Sequence, residues 1–241
     1  MEEVLSVDQK ERLREEVWRK MREGGLCPSP EGSIPTFPGQ GRAAERLRKL
    51  PEYRRARTVM VPPDQAQLQV RINALMDGKR LIVASPGLRD GFFLLSKEFL
   101  HPRRWAASCR TSGIKRMGRP LSLNEIGRID LMATGAVAVG LDGGRVGKGS
   151  GFFDLEYMIL RETGAVGERT PIVALVDDLQ VYEEVPSEEK DVTVDVIITP
   201  SRTIRVRGRP QRPKGIMWEM VDRRTLRRMK PLWELSQGAK G

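Results

Sequence analysis

Histidine is almost missing from this chain of 241 residues: there is one, His101, so any histidine-based triad must use it. Cysteine is nearly as scarce. Cys27 and Cys109 stand far apart and neither sits in a CxxC pair, which excludes a disulfide framework and a cysteine zinc site. No apolar run approaches the roughly 18 residues of a membrane span, so a soluble chain with no membrane partner is expected. The opening stretch, MEEVLSVDQKERLREE, mixes acids and bases and lacks an apolar h-region, so no secretory signal is read there. Together these shortages predict a reduced, cytoplasmic setting. What is present suffices for a core: 39% of residues are hydrophobic, which excludes a wholly disordered chain. The length predicts one large domain or two small ones.

The net charge of +10 is unevenly spread. Residues 1–50 carry 10 basic and 9 acidic side chains, residues 51–200 carry 20 of each, and residues 201–241 carry 12 and 3. The last segment therefore holds nearly the whole excess. A basic extension such as SRTIRVRGRPQRPKG could hold RNA or an anionic surface through residues 202–230. The other reading is a solvated tail that wraps back on the domain. Ile216, Met217, Trp218, Met220, Val221, Leu226, Met229, Leu232 and Trp233 favour docking, because a free polybasic arm has no use for them. The division expected is a domain at 1–200 and a docked basic extension at 201–241.

Periodicity predicts the elements. Ser6-Val7-Asp8-Gln9 reads as a capping box, and Leu13, Val17 and Met21 form one apolar stripe on the helix that follows, which Gly24-Gly25 ends. Residues 26–40 hold four prolines and two glycines and read as loop. A helix AAERLRKL stops at Pro51. TVMVPP (58–63), RLIVAS (80–85), PIVALV (171–176) and VTVDVIIT (192–199) read as strands; LMATGAVAVGL (131–141) is a further apolar run, and a helix is expected over 65–77. Residues 86–120 read as irregular. Short apolar strands alternating with helices predict an α/β fold with a mostly parallel sheet covered on both faces.

The stretch Asp142-Gly-Gly-Arg145-Val-Gly147-Lys148-Gly149-Ser150-Gly151-Phe152-Phe153-Asp154 carries the chemistry. It follows a strand and opens a helix with Phe152, Leu155 and Ile159 on one face, closed at Gly164. Glycines admit an anion close to the backbone, and a helix N-terminus adds unpaired N–H groups and partial positive charge. Arg145 and Lys148 add point charge. The spacing matches neither a Walker A loop nor GxGxxG, and a purely structural turn explains it as well as a phosphate site does. Asp154 in the first helical turn is either a simple dipole complement or a magnesium ligand beside phosphates. Asp195, which interrupts VTVDVIIT, is the natural second carboxylate, since a buried bare carboxylate needs a cation or a metal.

The arrangement Arg145-x-Gly147-x-Gly149-x-Gly151-Phe-Phe-Asp154, then Ala174-Leu-Val-Asp-Asp-Leu-Gln180, then Val185-Pro186 and Asp191-Val-Thr-Val-Asp195, resembles the 5-formyltetrahydrofolate cyclo-ligase (methenyltetrahydrofolate synthetase) family. Lys10-x-x-Leu13-Arg14 matches the family's start, and segments such as Val17-Trp18, Gly32-x-Ile34-Pro35 and Gly215-Ile216-x-Trp218 resemble its divergent branch. The resemblance implies a three-layer α/β/α sandwich similar to the NagB/RpiA/CoA-transferase group. It also implies conversion of 5-formyltetrahydrofolate to 5,10-methenyltetrahydrofolate with magnesium-ATP, by positioning and charge more than by a nucleophile.

Carried over residue by residue, Lys10, Arg14, Arg145, Gly147, Lys148, Gly149, Ser150, Gly151 and Phe153 match the nucleotide site, with Arg145 and Lys148 the catalytic cations, and Asp154 and Asp195 match the magnesium positions. Lys10 and Arg14 share the helical face of Leu13, Val17 and Met21, so near a helix N-terminus they need an anion, or else snorkel at the stripe's edge. The chain departs from the family where Phe152 and Phe153 replace tyrosines and Ser150 replaces a basic residue. The folate-binding glutamate after the first strand is not matched either: Pro62-Pro63-Asp64-Gln65 stands there, with Asp64 the nearest carboxylate. Asp64 and Phe152 are the substrate-side candidates. The alternatives are an ATP-binding relative that acts on another small substrate, and an RNA-binding protein that uses the basic tail.

Overall fold

In the computed structural model the described residues are 2–207 and 212–238, with side chains described for 8–207 and 212–237. Among the described residues eleven strands form: β1 (Thr58–Met60), β2 (Arg80–Ala84), β3 (Phe92–Leu95), β4 (Arg119–Leu121), β5 (Leu131–Thr134), β6 (Ala138–Gly140), β7 (Arg145–Val146), β8 (Ile172–Leu175), β9 (Val181–Tyr182), β10 (Val196–Ile198) and β11 (Thr203–Arg205). Eight make one sheet in the order β11-β10-β8-β5-β1-β2-β3-β4. The pairs from β10 through β8, β5 and β1 to β2 are parallel. The outer strands β11, at one edge, and β3 and β4, at the other end, run antiparallel to their neighbours. The protein is thus an α/β fold with a mostly parallel sheet and helices on its faces.

Strand alternation divides the core in two. Val59, Leu81 and Val83 face one cluster with Val17, Met21, Leu47 and Leu75, which come from the helices Glu2–Glu23, Gln40–Lys49 and Leu68–Met76. Met60, Ile82 and Ala84 face the other with Tyr157, Ile159 and Leu160 of the helix Phe152–Glu162. Each aliphatic side chain buried this way stabilises the fold by about 1.5–3 kcal/mol. Both faces of the central strands are covered, which explains their continuous apolar runs.

Four readings are corrected. The first helix begins at Glu2, so Ser6 lies inside it and is not its cap; the Ser6 side chain falls outside the described ones. The run 131–141 is two strands in different sheets, broken at Gly135. A β-carbon there would lie 2.6 Å from Ile34 and 2.8 Å from Gln67, so only glycine fits this crossing. β6 then pairs with β7 and β9 in a small second sheet. The stretch read as irregular hides β3, whose four residues are all buried and so show no polar alternation. Finally, 192–199 contributes only Val196–Ile198 to the ladder, because Val194 N–H instead donates to Gly143 O at 2.9 Å.

The C-terminal segment adds β11 at the sheet edge, then the helices Arg223–Arg228 and Lys230–Gly238. Asp222 caps the first of these, accepting from Arg224 N–H at 2.7 Å and Thr225 N–H at 2.8 Å. Ile216, Met229 and Leu232 are buried in the second core. Arg202, Arg205 and Arg212 pair with Asp178, Glu52 and Asp195, so part of the tail's charge is matched by the body. Residues 208–211 of the basic run lie outside the described residues. No described helix is long and apolar enough to cross a membrane.

Candidate functional site

The glycine loop is built from a tight turn. Asp142 Oδ1 accepts from Gly144 N–H at 3.0 Å, and Gly143, at φ 93°, leaves 2.7 Å between a would-be β-carbon and Val194 O. β7 follows, and the chain crosses residues 147–151 with Gly149 and Gly151 at φ 99° and 65° before entering the helix. Side chains are strained at these angles.

Two ion pairs flank the loop. Arg145 Nη2 lies 2.6 Å from Asp154 Oδ1, and its guanidinium carbon sits 4.7 Å from the centre of the Phe153 ring. The same Asp154 oxygen accepts from Val192 N–H at 2.9 Å. Lys148 Nζ lies 2.5 Å from Asp64 Oδ1. Asp64 is held in place by an unforeseen residue, Arg71, which is fully buried. Its guanidinium donates to the carbonyls of Pro62, Pro63, Asp64 and Cys109. An arginine inside an apolar helix was the available signal for it.

Lys10 and Arg14 are both buried, as their shared face with Val17 and Met21 requires. Lys10 Nζ sits 2.9 Å from Glu188 and 2.5 Å from Asp191, and Arg14 Nε donates to Gly147 O at 2.8 Å. Since the helix starts at Glu2, both lie well inside it. Carboxylates and a loop carbonyl compensate them, and the conflict with the helix dipole disappears.

These groups line two adjoining hollows. The first, of about 360 Å³, is bordered by Asp64, Lys148, Ser150, Phe152, Phe153 and Glu156. The second, of about 350 Å³, has a charged end made by Lys10, Arg14, Gly149 and Asp191 and an apolar end made by Leu155, Met158, Met217, Met220 and Val221. Arg145, Gly147, Gly151 and Asp154 border both.

Asp195 is the exception among the sequence candidates. It lines neither hollow. Its side chain is 35% exposed rather than buried, and its carboxylate accepts from Ile172 N–H at 2.7 Å and pairs with Arg212 at 2.6 Å, so the charge that suggested a metal is satisfied by a cation, a backbone donor and solvent. The pairing of Asp154 with Asp195 around a magnesium ion is therefore withdrawn.

Asp191, Glu188 and Glu156 were not singled out. Burial raises the Asp191 carboxyl above its ordinary range while Lys10 pulls it back. Burial pushes the Glu156 carboxyl well up, Asp64 and Asp154 adding to that effect and Lys148 and Arg145 opposing it. A carboxyl in the apolar stripe Phe153, Tyr157, Leu160 was the signal for Glu156. The two thiols are free and buried, and burial lifts Cys109 to about 11, which leaves it protonated at neutral pH. His101 accepts from Arg103 N–H at 3.3 Å and lines neither hollow.

Residues 7–200 match the 5-formyltetrahydrofolate cyclo-ligase family. The chain belongs to that family. A methenyltetrahydrofolate synthase domain-containing protein from Bos taurus is 36% identical over 233 residues, covering 91% of this chain and 60% of the relative. The corresponding Mus musculus protein is 35% identical over 244 residues, covering 96% and 64%. The chain thus spans under two thirds of the length of these curated relatives. The solved structure of Aquifex aeolicus 5,10-methenyltetrahydrofolate synthetase covers 83% of this chain and 93% of its own at TM-score 0.55 and 21% identity, a likeness of fold. Within this cyclo-ligase family member, the block carrying the resemblance is the one that walls both hollows.

Proposed function

We propose that the protein is an ATP-dependent cyclo-ligase that converts 5-formyltetrahydrofolate to 5,10-methenyltetrahydrofolate. The observation that carries this reading is the wall common to the two hollows. A reaction that passes a phosphoryl group from one substrate to another needs two sites open to one another across a cationic boundary, and Arg145 stands on that boundary.

The second hollow suits the nucleotide. Its apolar end fits a base, and Lys10, Arg14, Arg145 and the glycine loop suit a polyphosphate. The first hollow then takes the folate. Lys148, with Asp64 fixing its ammonium, lies where charge develops as the formyl oxygen accepts the γ-phosphoryl group. Attack by the second folate nitrogen on the activated carbon closes the ring and releases phosphate. No step requires a side-chain nucleophile, in keeping with a protonated Cys109 and a His101 outside the hollows.

Magnesium fits the donor set in part. Asp154 lines both hollows, and a magnesium ion commonly takes one or two carboxylates with phosphate oxygens, so Asp154, with Asp191 nearby in the second hollow, would hold it. When bound, the ion neutralises phosphate charge. Arg145, pressed between Asp154 and the Phe153 ring, keeps that carboxylate oriented.

The test is growth of methenyl-folate absorbance with purified protein. It is expected only when ATP, magnesium and 5-formyltetrahydrofolate are all present. A second reading, a nucleotide-binding relative with another small substrate, is favoured by the capture of Asp64 by Lys148, since no glutamate stands at that position. Nucleotide binding with no folate turnover establishes that reading instead.

A further inference from the structure

Glu156 combines three properties that rarely coexist. It is only 3% exposed, its Oε2 has no hydrogen-bond partner among the described residues, and it borders the first hollow. Leaving a buried oxygen unpaired costs about 1–3 kcal/mol, so a residue kept for packing alone would be apolar at this position. The charges around it do not relieve this cost. Lys148 is matched by Asp64 and Arg145 by Asp154, so each nearby cation already faces a carboxylate of its own. An unsatisfied oxygen at the edge of a hollow is satisfied by what enters the hollow.

The chemistry of the visitor follows from the open acceptor. Glu156 Oε2 has no donor among the described residues, and a carboxyl oxygen accepts a hydrogen bond. Its complement is an N–H donor, and the amino group on the edge of an aminopyrimidine ring supplies one. We infer that Glu156 is a substrate-recognition residue whose unpartnered oxygen reads the amino-pyrimidine edge of the second substrate. This rests on the folate reading of the first hollow and goes beyond it, since it names the group recognised and the residue that does so. It also explains how the hollow functions with Asp64 engaged by Lys148: the recognising carboxyl comes from the helix behind the glycine loop.

The experiment is calorimetric titration of the full chain with 5-formyltetrahydrofolate, with its 2-desamino analogue, and with ATP. Glu156→Leu is expected to weaken binding of 5-formyltetrahydrofolate about tenfold or more, leave ATP affinity unchanged, and raise Tm, because it removes an unsatisfied buried oxygen. Glu156→Gln keeps an acceptor oxygen at this position and is expected to stay within about threefold of the parent protein. The parent protein should discriminate against the desamino analogue, and Glu156→Leu should not. Equal affinity of Glu156→Leu and the parent for 5-formyltetrahydrofolate overturns the inference while leaving the folate reading in place. So does a parent protein indifferent to the amino group, a result that needs no variant to fold. A parent protein that binds ATP and no folate overturns both.

Discussion

Lys148 and Asp64, 84 positions apart in the chain, meet at 2.5 Å across the mouth of the first hollow. The lysine comes from the glycine loop and the aspartate from the loop after β1, so the contact joins two segments that only the sheet brings together. Their side chains are 30% and 21% exposed, and the pair adds little to stability at such a site. Its effect is to aim an ammonium group. Lys148→Ala is therefore expected to lower folate turnover about a hundredfold with little change in Tm, measured by steady-state kinetics beside a melting curve. A variant that melts earlier and turns over normally assigns the loop a structural role.

Two aspartates that look alike in the sequence should behave differently. Asp154→Asn keeps an acceptor for Val192 N–H, so the fold survives. Loss of its charge is expected to weaken magnesium-dependent nucleotide binding by about tenfold, roughly 1.4 kcal/mol. Asp195→Asn should leave nucleotide affinity unchanged. It removes the charge paired with Arg212, whose guanidinium keeps the Thr193 and Thr170 carbonyls, and should cost about 1 kcal/mol in denaturant unfolding. Reversed results would restore Asp195 to the site.

Arg71 offers a test of what shapes the first hollow. Arg71→Met retains most of the volume but leaves the carbonyls of Pro62, Pro63, Asp64 and Cys109 without this donor. The expected loss is about 3 kcal/mol or more, read from chemical denaturation, together with a raised KM for the folate because the 62–64 wall is no longer held. A variant of unchanged stability would mean that water replaces the guanidinium without cost.

The Glu156 carboxyl also leaves a signature in pH. Its folded-state value is well above the ordinary 4.5, through burial first and then Asp64 and Asp154, against Lys148 and Arg145. Between the unfolded and folded values the native state holds a proton that the unfolded chain has lost. Its contribution is therefore complete below the unfolded value and is lost as pH rises through the folded one. Tm of Glu156→Gln should fall less than that of the parent protein as pH is raised from the ordinary carboxyl range. Parallel Tm curves would show the group ionised in the fold.

Much of the site was legible because its signals are local. The alternating glycines 147, 149 and 151, the last two at positive φ, fall within five positions of the chain, and Arg145, Lys148 and Asp154 lie among or beside them. Lys10 and Arg14 could be placed on the buried face because helical periodicity alone decides that. Arg71 and Glu156 were not seen. Each is a charge inside an apolar pattern, and its task depends on segments distant in sequence.

The residues alone determined an α/β alternation, two thiols too distant for a CxxC site and a glycine loop that opens a helix, since propensity, periodicity and turn chemistry act over a few neighbours. The tertiary structure decided which charge meets which. It turned Asp195 to Arg212, set Asp64 against Lys148, and left one oxygen of Glu156 unpaired at the hollow's edge. Partnering of buried charges is a matter of distance in space and of lost hydration, and neither quantity is written in the order of residues.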